Sequence, residues 1–180
     1  MAENNPLEAI FQDIERAIEA RFYYHAIVVC LSMPDICAAL LCDPSSIWVT
    51  EKKYVEWCEA NLEKRFKFLT AKDCYRLRCG VLHQGNFGHP KARYDRIVFT
   101  LPSKIQFPEG RIGSPEAGEL VLLLNCVIFC ERMVSAARDW LSANTQDKNV
   151  QANLQNIVRF RPAGISLPPT LQLKGVPVIA

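Results

Sequence analysis

TAKDCYRLRCGVLHQG, residues 70–85, is the stretch that decides the fold, because it predicts one capped amphipathic helix. The hydroxyl of Thr70 is suited to cap the first turn, and Asp73, three residues later, can complete a capping box. Apolar side chains recur at helical spacing along one side. Helices commonly end at a glycine in the left-handed conformation, and Gly85 is suited to that role. The stretch is therefore predicted to be a single helix.

Two side chains near the end of this helix stand out. Arg78 falls within the apolar side, where an arginine is seldom buried without a partner. His83 lies in the last turn, and imidazole is the side chain that changes charge near physiological pH. On an ideal helix the two residues point about 140° apart, so one helix is not expected to aim both at one phosphate.

The sequences YRLR, residues 75–78, and VLHQG, residues 81–85, resemble the HEPN superfamily. In that superfamily an Arg-x4-His motif ends the third helix of a four-helix bundle. The resemblance covers about residues 8–143 and implies an all-α bundle of four to five helices. Cys79 follows Arg78 at a position where the family commonly carries a polar residue, often Asn.

The resemblance implies a metal-independent endoribonuclease of the toxin–antitoxin or defence type, built as a homodimer with both motifs at the seam. Its partners would be RNA and an antitoxin protein, with no cofactor and no metal. His83 would be the acid or base, and Arg78 would bind the phosphate, because its planar fork matches phosphate oxygens. Five further residues are candidates for RNA contacts: Lys72, Arg76, Cys79, Gln84 and Arg93.

Two non-catalytic interpretations remain open at this point. The chain could be an inactive HEPN-type module that binds RNA, a nucleotide or a protein. Alternatively, Arg78 could be neutralised by an acid such as Glu59 or Glu131, while His83 caps the carbonyl groups of its own helix. A structural role of this kind requires Arg78 to be buried against a carboxylate, whereas catalysis requires both side chains to be exposed in a shared cleft.

Two other chemistries use the cysteines and fit the spacing poorly. Cys74, Cys79, His83 and His89 could be combined as metal ligands, but three of them would lie on one helix rather than in paired turns. A Cys79–His83 nucleophile is allowed by the i, i+4 spacing, yet nothing supplies an oxyanion site or an orienting acid.

Length and composition predict one soluble domain with a sizeable core. The chain has 180 residues, of which 49% are hydrophobic and 22% charged. Its start has no basic region ahead of an apolar one, and its apolar runs are about a dozen residues, which predicts a cytoplasmic protein with no membrane span. The eight cysteines include no C-x-x-C pair and are expected to be reduced and mostly buried.

The net charge of +2 conceals a strong polarity along the chain. Residues 1–63 carry 4 basic and 11 acidic side chains, and residues 64–111 carry 11 basic and 3 acidic ones. A basic surface around the motif would attract RNA. The competing interpretation is that the basic block pairs with the acidic N-terminal part, within or between subunits.

The rest of the chain is predicted to be mostly helical. Residues 1–145 form the HEPN-like bundle, with amphipathic helices before the motif, including one from Glu51 to about Phe68. Pro34 is expected to kink or divide a helix running from about Phe22 to Leu41, with Asp35 capping the second piece.

The segment after the motif is predicted to be an insertion at residues 86–114, extended or folded as a β-hairpin, before the helix resumes. That helix is expected to begin at Ser114-Pro115-Glu116 and to run to about Leu141. Asn125 would lie inside it, as a structural group or a ligand near the site. Residues 146–180 are predicted to be a short helix and a Pro-rich extended tail docked on the bundle or on a second subunit.

Overall fold

The computed structural model of the protein describes residues 5–88, 91–114, 116, 118–167 and 171–180. About 50% of the chain is helical, and the rest includes a small mixed sheet. The helices of the described residues are α1 (Pro6–Glu19), α2 (Tyr23–Leu40), α3 (Glu51–Leu62), α4 (Ala71–Cys79), α5 (Cys126–Ala143) and α6 (Lys148–Leu154). The strands are β1 (Arg96–Thr100), β2 (Gly110–Ser114), β3 (Glu119–Asn125), β4 (Phe160–Arg161), β5 (Ser166–Leu167), β6 (Leu171–Gln172) and β7 (Val178–Ile179).

Helix α2 lies at the centre of the fold and packs against five other helices. It continues through Pro34, so the predicted division of this helix is wrong. A proline inside a helix costs about 3 kcal/mol or more, but burial of apolar side chains on nearly every side of α2 offsets that cost. Among the described helices, only α2 is long and apolar enough to cross a membrane. Half of this helix is buried within the protein.

Helix α4 and the segments beside it position the candidate site. The capping box at Thr70 and Asp73 is confirmed, with the Asp73 amide donating to the Thr70 hydroxyl at 3.2 Å. Helix α3 ends at Leu62, not at Phe68, so eight residues rather than one or two separate it from α4. Phe66 and Leu69 of this link are buried in the core, which explains why their apolar pattern resembled more helix.

The predicted helix at residues 114–125 is wrong, because this segment contains strand β3. Strand β3 is central in the sheet, pairing in parallel with β1 and antiparallel with β2. The predicted hairpin within the insertion is therefore also wrong: β1 is a strand, but its partner is β3. A short apolar run is compatible with a buried strand or a buried helix, and here the sheet partners decide. Of the proposed helix start, Ser114 closes β2, and Pro115 lies outside the described residues.

The C-terminal part docks through α6 and then pairs with itself. At the C-terminal end of α2, the Asn153 side-chain amide donates to the carbonyl oxygens of Leu40 and Cys42 at 3.1 and 2.8 Å. After α6 the chain folds back, with β4 antiparallel to β7 and β5 antiparallel to β6. All eight cysteines are free thiols, and seven of them are buried.

The stretch after α4 is not a continuation of the α-helix. Gly80–Gln84 forms a π-helical turn, which Gly85 ends in the left-handed conformation at φ 66°, as its residue type predicted. The backbone returns closely over this turn, and a Cβ at Gly80 would lie 2.2 Å from the carbonyl oxygen of Gly88 and 2.9 Å from that of Asn86. The turn therefore requires glycine at position 80.

We expect Gly80→Ala to lower the free energy of unfolding by about 1–3 kcal/mol, because its methyl group would overlap backbone atoms that cannot move independently. Urea unfolding measures this effect. Gly110→Ala is the matched control, since a Cβ there meets nothing within 4 Å, and it should change stability by less than about 0.5 kcal/mol. Equal losses in the two variants would contradict the close approach at Gly80.

Candidate active site

The π-helical turn brings the two motif side chains together. Nη1 of Arg78 lies 3.1 Å from Nε2 of His83. Because guanidinium can only donate, Nε2 is the acceptor, and this contact requires a neutral imidazole. The expectation that the two residues point apart on one helix is therefore wrong, since five residues that include a π turn do not rotate as an ideal α-helix does.

A carboxylate completes the cluster. Nε of Arg78 donates to Oδ2 of Asp35 on α2 at 2.9 Å, and these two side chains are only 22% and 25% exposed. The partner of Arg78 is thus Asp35 rather than Glu59 or Glu131, and Asp35 does not cap a second helix piece. His83 is exposed, so the cluster reaches the protein surface. His83 has the exposure that catalysis requires. Arg78, in contrast, is paired with a carboxylate and mostly buried, as a structural role requires.

The electrostatics of the pair are set by partial burial. Burial raises the pKa of the Asp35 carboxyl, although the charge and hydrogen bond of Arg78 and the nearby His83 act in the opposite direction. Burial also acts to lower the pKa of Arg78, but the Asp35 charge and the hydrogen bonds to Asp35 and Cys79 outweigh it and raise that pKa. Arg78 therefore stays charged, while its partner carboxylate is held in a place where ionisation is unfavourable.

The guanidinium keeps capacity for a ligand. An arginine has five N–H donors, and Asp35, His83 and Cys79 each interact with this side chain. The remaining donors can serve two oxygens of a phosphate in the bidentate manner typical of arginine. Asp35 binds the guanidinium through Nε, and Nη1 faces His83.

We expect Asp35→Asn to change how stability depends on pH. Since the folded pKa of Asp35 is raised, the folded protein holds this proton where the unfolded chain has released it. The contribution of Asp35 to stability is full below its ordinary pKa of about 3.9 and is lost as pH rises through the folded value. Urea unfolding from acid to neutral pH should therefore show wild type losing stability relative to Asp35→Asn; a relative gain would contradict this linkage.

The other predicted RNA-contacting residues divide into two groups. Cys79 and Gln84 lie beside the Arg78–His83 pair, with Cys79 partly buried and Gln84 exposed. Lys72 lies in the first turn of α4, about 9 Å along the axis from Arg78. Arg93 lies near that same end of α4, because it packs over Tyr94, whose hydroxyl donates to the Phe68 carbonyl. Arg76 is on α4 between the two groups and is partly buried.

The basic block is not neutralised by the acidic N-terminal part alone. Among the described residues, Arg65 pairs with Asp139 and Arg96 pairs with Glu119, so these two acids follow the basic block in the sequence. The Arg78–Asp35 pair joins the block to an N-terminal acid. Several lysines and arginines of the block remain exposed to solvent.

The remaining sequence hypotheses find no site in the described part of the chain. No group of three or more His, Cys, Asp or Glu side chains there could hold a metal ion, and His89 lies outside the described residues. Asn125 caps α5 by accepting from the Ile128 amide at 3.1 Å, which accounts for a polar residue among apolar ones. Asp35 was missed as a site residue because only the packing of α2 against α4 brings it to Arg78.

Comparisons with known proteins identify no relative of this chain. No protein-family model, curated protein or solved structure matches the chain.

Proposed function

We propose that this protein is a metal-independent endoribonuclease of the HEPN type, with Arg78 and His83 as its catalytic residues. The observation that carries the proposal is the contact between Arg78 Nη1 and His83 Nε2 at 3.1 Å, at the surface and backed by Asp35. A proton carrier and a phosphate-binding cation side by side are two of the groups that RNA cleavage without a metal needs.

The reaction would use the neutral form of His83. When a phosphate takes the Nη donors of Arg78, Nε2 of His83 is released and can accept the proton of the ribose 2′-hydroxyl. The 2′-oxygen then attacks the adjacent phosphorus, and the bond from phosphorus to the 5′-oxygen breaks. Arg78 stabilises the charge that builds up on the phosphate oxygens, and Asp35 holds the guanidinium in place.

A second proton carrier is needed on the far side of the phosphate, to protonate the leaving 5′-oxygen. A two-fold dimer would supply His83 of the second copy in that position. The surface next to the motif suits such contact, because Tyr24 and Leu82 are exposed there. The Tyr24 hydroxyl donates to the Val81 carbonyl at 3.5 Å, and Leu82 belongs to the π turn. The proposal therefore includes a homodimer with paired motifs.

A second candidate function is a non-catalytic module that binds RNA, a nucleotide or a protein. The observation that favours it is the ion pair itself, since the Asp35 carboxylate competes with a phosphate for Arg78. Cys79, in place of the usual polar residue, points in the same direction. Binding without cleavage would be the result expected of this candidate.

The two candidates are separated by incubating the purified protein with total RNA in excess chelator. The ribonuclease is expected to produce fragments with cyclic or 3′-phosphate ends, because the 2′-oxygen is the nucleophile. Intact RNA after incubation with a folded dimer would overturn the ribonuclease proposal and favour the binding module.

A further inference from the structure

A groove of about 850 Å³ lies away from the Arg78–His83 pair, in a part of the molecule with no function assigned above. One wall is the link between α3 and α4, residues 63–69, and the other is residues 106–109 of the β1–β2 loop. Its floor is formed by the end of β3 and the first turns of α5, including Ile128 and Arg132. The volume falls in the range of ligand pockets.

One wall of the groove presents an aromatic ring to solvent. Phe107 is 60% exposed, whereas Phe66 is buried against Phe129 and Phe68 is partly buried. More than half of the Phe107 surface is therefore available for contact with a ligand. An exposed ring at a groove is the surface on which an unpaired nucleic-acid base stacks.

The rim of the groove is basic. Lys64 and Lys67 are exposed there, and the Lys67 ammonium lies 5.2 Å from the centre of the Phe68 ring. The Arg111 guanidinium lies 5.5 Å from the same ring. No carboxylate of the described residues lies within ion-pair distance of these three cations. They are therefore available to phosphates.

The acids near the groove are largely neutralised. Glu109 accepts from Nη1 of Arg132 at 2.6 Å and from the backbone N–H of Asn125 at 3.2 Å, so its charge is neutralised at the floor of the groove. Among the basic residues of the lining, Arg65 is already paired, because it donates to the Asp139 carboxylate and to the Ser135 hydroxyl. Glu63 is the remaining acid of the lining, against three cations without a carboxylate partner, and the groove keeps a positive balance.

We propose that this groove binds single-stranded RNA, with a base stacked on Phe107 and phosphates on Lys64, Lys67 and Arg111. A duplex is excluded as the preferred ligand, because its bases are already stacked and cannot reach the ring. The role of the groove in holding a substrate rests on the proposed ribonuclease function, whereas its affinity for RNA does not.

The groove connects with the catalytic pair along α4. The Phe68 carbonyl accepts the Tyr94 hydroxyl, and Arg93 lies over the Tyr94 ring at 4.7 Å. Lys72 follows in the first turn of α4, and Arg78 lies two turns further along. A strand held in the groove would thus meet further cations on its way to His83, and cleavage is expected in single-stranded regions.

The test measures binding of a fluorescent 12-nucleotide single-stranded RNA by anisotropy, in chelator and in the His83→Ala background so that RNA stays intact. Lys64→Gln/Lys67→Gln should reduce the slope of log affinity against log salt by about 1.4, since two phosphate contacts are lost. Lys148→Gln/Lys174→Gln is the matched control for charge, with both lysines exposed outside the groove, and should keep the slope.

Stacking is tested by Phe107→Ala, which should weaken binding about fivefold or more. Phe160→Ala is the matched control, because that ring is exposed to a similar extent, 64%, on β4. Unchanged binding by the Phe107 variant, or equal loss in both phenylalanine variants, would overturn the proposal. So would competition by a duplex or a polyglutamate peptide that equals competition by unlabelled single-stranded RNA.

Failure of the groove and failure of the ribonuclease proposal give different results. RNA bound through the groove with no cleavage by wild type would leave the groove standing and remove the ribonuclease. Cleavage by wild type with binding unaltered in all groove variants would remove the groove and leave the ribonuclease.

Discussion

His83→Ala is expected to lower the rate of RNA cleavage by about 10²–10⁴-fold, which is the contribution of a positioned acid or base. His83 is exposed, and its described hydrogen bond goes to Arg78 alone, so its removal leaves no buried group unpaired. The free energy of unfolding should therefore stay within about 0.5 kcal/mol of wild type. Cleavage of a labelled RNA under single-turnover conditions in chelator measures the rate.

His25→Ala is the control for this prediction. His25 is also an exposed histidine, placed on α2 with its ring against Phe22 and Tyr24. The His25 ring contacts Tyr24, which belongs to the proposed dimer surface, so the comparison uses dimeric protein as judged by light scattering. Dimeric His25→Ala should cleave RNA at the wild-type rate. Cleavage by His83→Ala at the wild-type rate would show that the observed activity belongs to another group or to a contaminating nuclease.

Replacement of Arg78 is expected to have an effect of similar size. Arg78→Ala should lower the cleavage rate by about 10²–10³-fold, the usual effect of removing one donor to a developing oxyanion. It also leaves the Asp35 carboxylate without its partner, so a loss of stability would accompany the loss of rate. Thermal unfolding beside the cleavage assay separates the two effects.

Arg78→Lys removes this ambiguity. Lysine keeps a positive charge beside Asp35 but lacks the planar fork, so folding should be preserved while cleavage remains well below wild type. Arg96→Ala is the control for arginine removal, because that side chain is 72% exposed and pairs at the surface with Glu119. Wild-type cleavage by a folded Arg78→Lys variant would contradict the role of the fork and favour a simple charge effect.

Local signals in the sequence predicted the capped start of α4 and the glycine that ends its π turn. Thr70, Asp73 and Gly85 act through their own backbone neighbourhood, so their residue types are sufficient to predict them. The contact between Arg78 and His83 could not be predicted in this way. It depends on the π turn that begins at Gly80. Glycine is required there because the backbone of Asn86 and Gly88 returns over it.

The errors in the fold have a common cause, which is that long-range packing overrides a local pattern. The apolar run at residues 120–124 fits a buried helix equally well, and its assignment as β3 depends on β1 and β2 pairing on either side. Pro34 is a helix breaker by residue type, yet the packing around α2 retains the helix. Asp35 lies 43 positions from Arg78 in sequence, and only the packing of α2 against α4 makes it the partner of that arginine.

The most direct test of the central claim is the chemistry of the cut ends. We would incubate a single-stranded RNA with the folded wild-type protein in excess chelator, beside His83→Ala and Arg78→Lys, and identify the ends by mass spectrometry. A 2′,3′-cyclic phosphate or 3′-phosphate from wild type, with little or no product from either variant, is the predicted result. Intact RNA with folded wild-type protein, or equal product from all three proteins, would contradict it.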